Sequence, residues 1–280
     1  MPLVKVSEIL KSAEKVNTSV YAFDCLDLNT ITAAITAAEL EHKPIIIMLY
    51  PAMRAVCPLH IFAEMVKTVA RDVKVPVGLH LDHCSDFDLI VEAIREGFTS
   101  VMADGSLLPL EENIAFTKSV VRVANIFGVD VEGELGHVGS AGTVTDFDDE
   151  AAYTLPEDAK TFAEATGVAS LAVAFGSAHG VYVKQPKLSI KRLQEINAAT
   201  DTPLVLHGGS GIPEDQLAAA FENGINKFNV GTEFFMLNAK LNREALEKAD
   251  PTKPFSDVKY IREGLTRYVA QKLHLCRLSV

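Results

Sequence analysis

Several things are missing from this chain, and each absence narrows what it can be. No apolar run approaches the length of a membrane span. The opening stretch, residues 1–16, reads as a short amphipathic segment with no apolar signal region and no cleavage site. Basic residues are in deficit: 26 Lys and Arg stand against 37 Asp and Glu, a formal charge of −11 and a pI near 5.2. That balance argues against nonspecific binding to nucleic acid or an anionic membrane, while leaving room for a local basic pocket. The four cysteines, Cys25, Cys57, Cys84 and Cys276, lack metal-like spacing, which is the pattern of reduced thiols in a cytoplasmic protein. Cys84, although beside His83, reads as a small buried thiol. Across 280 residues no composition break or linker divides the chain, so one domain spanning 1–280 is expected.

What is present is an alternation. Short apolar runs at 20–23, 44–49, 77–81, 100–104, 130–134, 170–173, 203–206 and 227–230 read as strands. Between and after them lie helical patterns at 29–41, 62–73, 86–96, 110–127, 156–166, 189–199 and 213–223. Two more, at 234–248 and 257–273, finish the chain. Gly97, Gly128, Gly167 and Gly224 follow four of the helices as left-handed caps. Eight βα units predict a closed (β/α)8 TIM barrel with additional C-terminal helices. A doubly wound open sheet is the alternative, but the segment after the first strand, Asp24-Cys25, lacks its glycine fingerprint.

In such a barrel the chemistry sits where strands end. Those ends read Asp24, Tyr50, Asp82-His83, Asp104, Glu132 and Glu134, Ser177-Ala178-His179, His207, and Asn229 with Thr232. His83, His179 and His207 come from three different strands and are placed to converge as a divalent-metal site of catalytic type. Asp82 stands beside the first of them as a proton carrier. His42, His60 and His274 read as solvated side chains, His80 as an inward polar residue that orients its neighbours, and His137 as an ordinary residue of the loop after the fifth strand, with an approach to the substrate as the lesser alternative. The segment His207-Gly208-Gly209-Ser210-Gly211-Ile212-Pro213 offers backbone amides to an anion such as phosphate, in the unit where barrels usually hold one.

Six segments, at 79–83, 100–106, 131–136, 176–180, 206–211 and 227–233, keep the order and residues of a known family. Over about Ser19 to Lys272 the chain resembles the class II, metal-dependent ketose-bisphosphate aldolases of fructose- and tagatose-bisphosphate type, which are (β/α)8 barrels. The resemblance implies a catalytic Zn2+ on His83, His179 and His207, with Asp82 as the acid/base at the C4 hydroxyl. It implies that Asp104 and Glu134 are supporting or secondary metal carboxylates, leaving a second divalent or a monovalent cation open. Gly180, Gly208, Gly209, Ser210, Asn229, Val230, Gly231 and Thr232 match the segments that hold dihydroxyacetone phosphate, and Arg262 the arginine that meets a distal phosphate across a subunit contact. A sugar-phosphate substrate and a homodimer or homotetramer follow from the same likeness.

The departures fall around the substrate. The acidic motif after the fifth strand is replaced by Gly139 to Val144, with acids displaced to Asp146, Asp148, Asp149 and Glu150. Asp24 stands where an asparagine is usual, Gly231 where a side chain often contacts the triose, and Tyr50 to Arg54 lack the serine placed against the distal phosphate, with Arg54 either a substitute or a surface side chain. These changes point away from an ordinary glycolytic fructose-bisphosphate enzyme. Two other readings stay open: a metal-dependent epimerase or aldolase on another sugar phosphate, and a non-catalytic assembly subunit.

Overall fold

The computed structural model describes residues 3–136, 152–248, 250, 252–253 and 255–280. A first helix, α1 (Val6–Glu14), buries Val6, Ile9, Leu10 and Ala13. Then β1 (Val20–Asp24), α2 (Leu28–Glu41), β2 (Ile45–Leu49), a 3-10 turn (Pro51–Ala55) and α3 (Leu59–Ala70) follow. Next come β3 (Val77–Cys84), α4 (Phe87–Glu96), β4 (Ser100–Ala103), α5 (Leu110–Phe127) and β5 (Asp130–Leu135). The chain continues through α6 (Pro156–Thr166), β6 (Ser170–Val173), α7 (Ile190–Ala199), β7 (Leu204–Leu206), α8 (Glu214–Glu222) and β8 (Ile225–Val230). It closes with α9 (Thr232–Glu247) and α10 (Ser256–Leu273).

All eight strands pair in parallel, and β1 pairs with both β2 and β8, so the sheet is a closed barrel in sequence order. The expected TIM barrel with extra C-terminal helices is what forms. α1 lies across the N-terminal ends of the strands: the Val4 amide donates to the Val77 carbonyl, and Ser7 N–H to Asp130 Oδ2 at 2.7 Å. α10 packs on α2 and α9.

Helix boundaries follow local chemistry. Asp86 caps α4 by accepting from the Asp88 and Leu89 amides. Gly97, Gly128 and Gly167 occupy left-handed caps as expected. At α8 the cap is Asn223, and Gly224 sits one residue beyond it. The helix expected over 62–73 runs instead from Leu59 to Ala70, because Pro58 supplies its N-cap and the chain enters the helix directly after it. β3 continues past Leu81 to Cys84, through an irregularity in its pairing with β4 between Leu81 and Cys84.

The strand period of two sorts side chains into a wall and a filling. Outward residues such as Tyr21, Phe23 and Phe228 pack under the helices, with Tyr21 edge-on to Phe228 at 5.1 Å and Phe23 to Phe234 at 5.4 Å. The inward set is unusually polar. His80 and Asp82 share a face of β3, Glu132 and Glu134 a face of β5, and Lys227 and Asn229 a face of β8, and all six are buried. Lys227 Nζ lies 2.9 Å from Glu132 Oε2 and donates to Oε1 at 3.1 Å, with neither side chain exposed at all. Removing one partner of a fully buried pair leaves the other charge uncompensated. Lys227→Met therefore costs on the order of 3–5 kcal/mol in denaturant unfolding, and adding Glu132→Gln to it recovers part of that loss.

Candidate active site

At the C-terminal end of the barrel the inward residues meet the βα loops in a cavity of ≈ 740 Å³. Neighbouring residues on a strand point to opposite faces, so Asp82 and His83 should not share a site. They do because His83 adopts φ 41, a left-handed conformation rare outside glycine, at the irregularity in β3–β4 pairing. Its imidazole is thereby turned back over the mouth, 14% exposed, within ring-to-ring distances of 4.7 Å from His179 and 4.4 Å from His207.

The three histidines present ligand atoms that all lie within 4.8 Å of one another. His83 Nε2 and His207 Nδ1 face each other at 2.8 Å. Their far nitrogens are already engaged: His83 Nδ1 meets Asp104 Oδ2 at 3.0 Å, and His207 Nε2 meets Glu132 Oε1 at 3.0 Å. Glu134 Oε2 stands 3.6 Å from both His83 Nδ1 and His207 Nδ1. Carboxylates on the outer nitrogens fix the proton there and aim the inner lone pairs at a common point, the usual way an imidazole is prepared for a metal. The electrostatics agree. Burial alone would lower the His83 pKa, but Asp82, the hydrogen-bonded Asp104 and Glu134 carry it up to about 10. The surrounding carboxylates thus favour positive charge at this cluster. Burial and the facing His83 push His207 down. Three imidazoles with flanking carboxylates suit a divalent ion of zinc type. Two further groupings, His83–Asp104–Glu134 and His80–Asp82–Glu132, are close enough to bind metal, but the second shares Glu132 with Lys227.

Asp82 lies 3% exposed beside this centre. Asn229 Nδ2 donates to its Oδ1 at 2.9 Å and so fixes the plane of the carboxyl. Burial works against its ionised form, yet His83, His207, Lys227 and His80 outweigh that and hold its pKa below the ordinary value. It therefore stands ionised beside the histidines. His80 is an inward orienting residue, as expected: its Nδ1 meets Ser100 Oγ at 2.8 Å, and burial followed by Lys227 drives its pKa to about 3, so it stays neutral.

The opposite wall of the site is glycine-rich. Gly180, Gly208, Gly209, Ser210, Gly231 and Thr232 all line the cavity. A Cβ at Gly208 would lie 2.4 Å from the Ala178 carbonyl oxygen, and one at Gly209 only 1.9 Å from Phe228 Cε2, so the turn can pack here only without side chains. Tyr182 ties the two loops together, its hydroxyl accepting from the Ala178 amide and donating to the Gly208 carbonyl, each at 2.7 Å. Ser210 Oγ accepts from the Glu233 amide at 3.2 Å in the first turn of α9, so the turn abuts a helix N-terminus that favours an anion.

The structure thus brings together Asp82, His83, Asp104, Glu134, His179, His207, the glycines, Ser210, Asn229 and Thr232. Two expected positions lie outside the cavity of this chain: the Val230 side chain is fully buried in the core, and Arg262, expected to act across a subunit contact, donates from Nε to Asn29 Oδ1 at 2.7 Å. His137, Gly139 to Val144, Asp146, Asp148, Asp149 and Glu150 lie outside the described residues. His42, His60 and His274 are exposed and Cys84 is buried, as expected. Lys227 and Tyr182 escaped the sequence reading. A lysine inside an apolar strand, two residues before Asn229, was the available sign for the first; nothing in the sequence marked the second.

Asp24 closes the cavity floor beside Gly231, whose Cβ would stand 2.7 Å from Asp24 Oδ2. Its Oδ1 is buried without a hydrogen-bond partner.

A parallel eight-stranded barrel with a histidine–carboxylate centre at its C-terminal mouth defines a metal-site enzyme of the (β/α)8 class. The chain belongs to the class II fructose-bisphosphate aldolases, since the family description "Fructose-bisphosphate aldolase class-II" matches residues 4–279. It is 40% identical over 261 residues to "Fructose-bisphosphate aldolase" from Staphylococcus aureus (strain Mu50), covering 90% of this chain and 91% of that one. Its fold superposes on the X-ray structure of the YdjI aldolase from Escherichia coli K12 with a TM-score of 0.88 at 29% identity, over 98% of this chain and 97% of that one. The chain is accordingly an aldolase, a carbon–carbon lyase of a metal-dependent family.

Burial first, and then the nearby Asp82, push the Asp24 carboxyl well above its usual 3.8. As pH rises past 3.8 the unfolded chain ionises at this residue while the folded one does not, so stability falls until the folded value is passed and is constant above it. Thermal melts of Asp24→Asn against the parent should coincide near pH 4, then separate with the variant more stable. Parallel curves across the range would contradict the assignment.

Proposed function

We propose that the chain catalyses the zinc-dependent, reversible aldol cleavage of a phosphorylated ketose to dihydroxyacetone phosphate and an aldehyde. The observation that carries this is the facing pair of His83 Nε2 and His207 Nδ1, each with its far nitrogen held by a carboxylate, beside a glycine cradle. His83, His179 and His207 would hold the zinc. Bound there, the ion supplies Lewis acidity that spreads the enediolate charge left when the C3–C4 bond breaks. The His83–Asp104–Glu134 grouping offers a place for a second divalent or a monovalent cation.

The protein's own groups do the rest. Gly180, the Gly208–Gly209–Ser210 turn and Gly231–Thr232 present amides and hydroxyls to the C1 phosphate at the start of α9, fixing the ketose along the cavity. Asp82, oriented by Asn229, takes the C4 hydroxyl proton as the aldehyde forms and returns it in condensation. Asp104 and Glu132 keep the histidines in one tautomer throughout. The same reading takes residues 1–280 as one catalytic domain, acting as a cytoplasmic homodimer or homotetramer. Among the described residues no helix is long and apolar enough to cross a membrane.

Asp82→Ala should retain bound metal, measured by elemental analysis, while kcat falls by about 10²–10⁴. Chelation should abolish triose-phosphate release in the parent and added zinc should restore it. Full activity after chelation, or an active Asp82→Ala variant, would sink the proposal, and epimer formation without triose release would favour the epimerase instead.

A further inference from the structure

Asp24 is a cavity acid with no part in holding the ion, the C1 phosphate or the C4 hydroxyl. It ends β1, and the register of that strand against β2 and β8 fixes its place in the barrel wall. The residue is only 8% exposed. One carboxyl oxygen, Oδ2, lies against Gly231, where an added Cβ would stand 2.7 Å away. The other, Oδ1, is buried and among the described residues has no hydrogen-bond partner. A buried polar atom left in that state costs stability until a ligand meets it.

Two anchors bracket this carboxyl. Gly231, against its Oδ2, opens the Gly231–Thr232 segment that faces the C1 phosphate. Asp82, the base for the C4 hydroxyl, is near enough for its charge to act on Asp24. A ketose held by its phosphate at the first and by its C4 oxygen at the second lays C1, C2 and C3 between them. Asp24 therefore stands beside the middle of the carbon chain, where C3 becomes the reacting carbon. Burial, followed by Asp82, raises its pKa well above 3.8, against the opposing effects of His83 and Lys227. The folded protein thus keeps this carboxyl protonated past the pH at which an ordinary one ionises. An amide in the same place could bond to the same atoms but would have no proton to give.

We propose that Asp24 is a second catalytic acid, the group that exchanges a proton with C3 of the substrate. In cleavage, Asp82 takes the C4 hydroxyl proton, the C3–C4 bond breaks as the aldehyde forms at C4, and its electron pair passes into the enediolate of C2 and C3. The unpartnered oxygen of Asp24 then delivers its proton to C3, which becomes the hydroxymethyl carbon of dihydroxyacetone phosphate. Asp82 is left protonated and Asp24 ionised, and proton exchange with water restores both. Condensation runs the same steps in reverse, with ionised Asp24 as the base at that carbon.

This rests on the aldolase reading above, so the test separates the two. The full-length, zinc-loaded protein in its native assembly is incubated with dihydroxyacetone phosphate alone in D2O, and deuterium entering the hydroxymethyl carbon is followed by NMR. That exchange isolates proton transfer at carbon, with no aldehyde and no C4 hydroxyl present. The parent is compared with Asp24→Asn, which keeps the size of the side chain and removes the buried acid. Zinc content is read by elemental analysis and affinity for dihydroxyacetone phosphate by calorimetry. The expected result is exchange in the parent, slower by about 10²–10⁴ in Asp24→Asn, with zinc content and affinity unchanged. Exchange slowed by less than this range overturns the inference, places the donor elsewhere and leaves the aldolase reading standing. Exchange lost only in step with weaker binding or missing zinc also overturns it, since Asp24 would then hold the site and not react. Absence of exchange in the parent overturns both.

Discussion

The carboxylate of Glu132 sits at the centre of the barrel with none of its surface exposed, and the site depends on how its charge is met. Lys227 neutralises it from β8, Ser170 reaches its Oε2 at 3.1 Å from β6, and His207 takes its Oε1 from the end of β7. Lys227, with burial acting the other way, holds this acid well below the usual carboxylate range, so it remains an anion inside the protein. An apolar filling would stabilise a barrel at least as well. What the buried pair provides instead is an immovable acceptor beneath His207. From there the connection continues to His83 and to Asp104, whose pKa is lowered, against burial, by hydrogen bonds from His83 and Ser106. Four strands are thereby tied to one orientation of two imidazoles.

Against this fixed base stands a residue of the site with a strained backbone. His83 occupies a backbone region that costs on the order of 1 kcal/mol or more for a non-glycine residue. The cost brings an ionised carboxylate and an imidazole from consecutive positions of one strand to the same cavity. The rigid strands hold these groups in register, while the glycine turns opposite present backbone to the cavity. Histidine–carboxylate centre and glycine turns are thus built by different means, and the part of the cavity least committed to either is the wall of Tyr50, Leu107 and Leu108.

Much of this was legible in the sequence, for physical reasons. Continuous apolar runs such as Ile45 to Leu49 can be satisfied only in a strand covered on both faces, and eight of them separated by helices leave few topologies besides a closed barrel. Polar residues ending such runs had to lie at the mouth, so His83, His179, His207, Asp82 and Asn229 could be grouped before any coordinates were known. The inward polar layer was harder to see, because Lys227, His80 and Glu132 matter through each other, and pairing across the barrel is invisible along the chain. Tyr182 joins two loops by its hydroxyl, which neither periodicity nor composition encodes. Arg262 and Val230 were placed by likeness alone; within this chain the first is bonded to Asn29 and the second has its side chain in the core.

The central claim is that carboxylate-held histidines, not the carboxylates themselves, receive the catalytic ion. Zinc K-edge X-ray absorption on the zinc-loaded protein tests this most directly. The account predicts a first shell containing three imidazole nitrogens at about 2.0–2.1 Å, with the multiple-scattering features of histidine rings. A shell of oxygen donors with fewer than two imidazoles would contradict it.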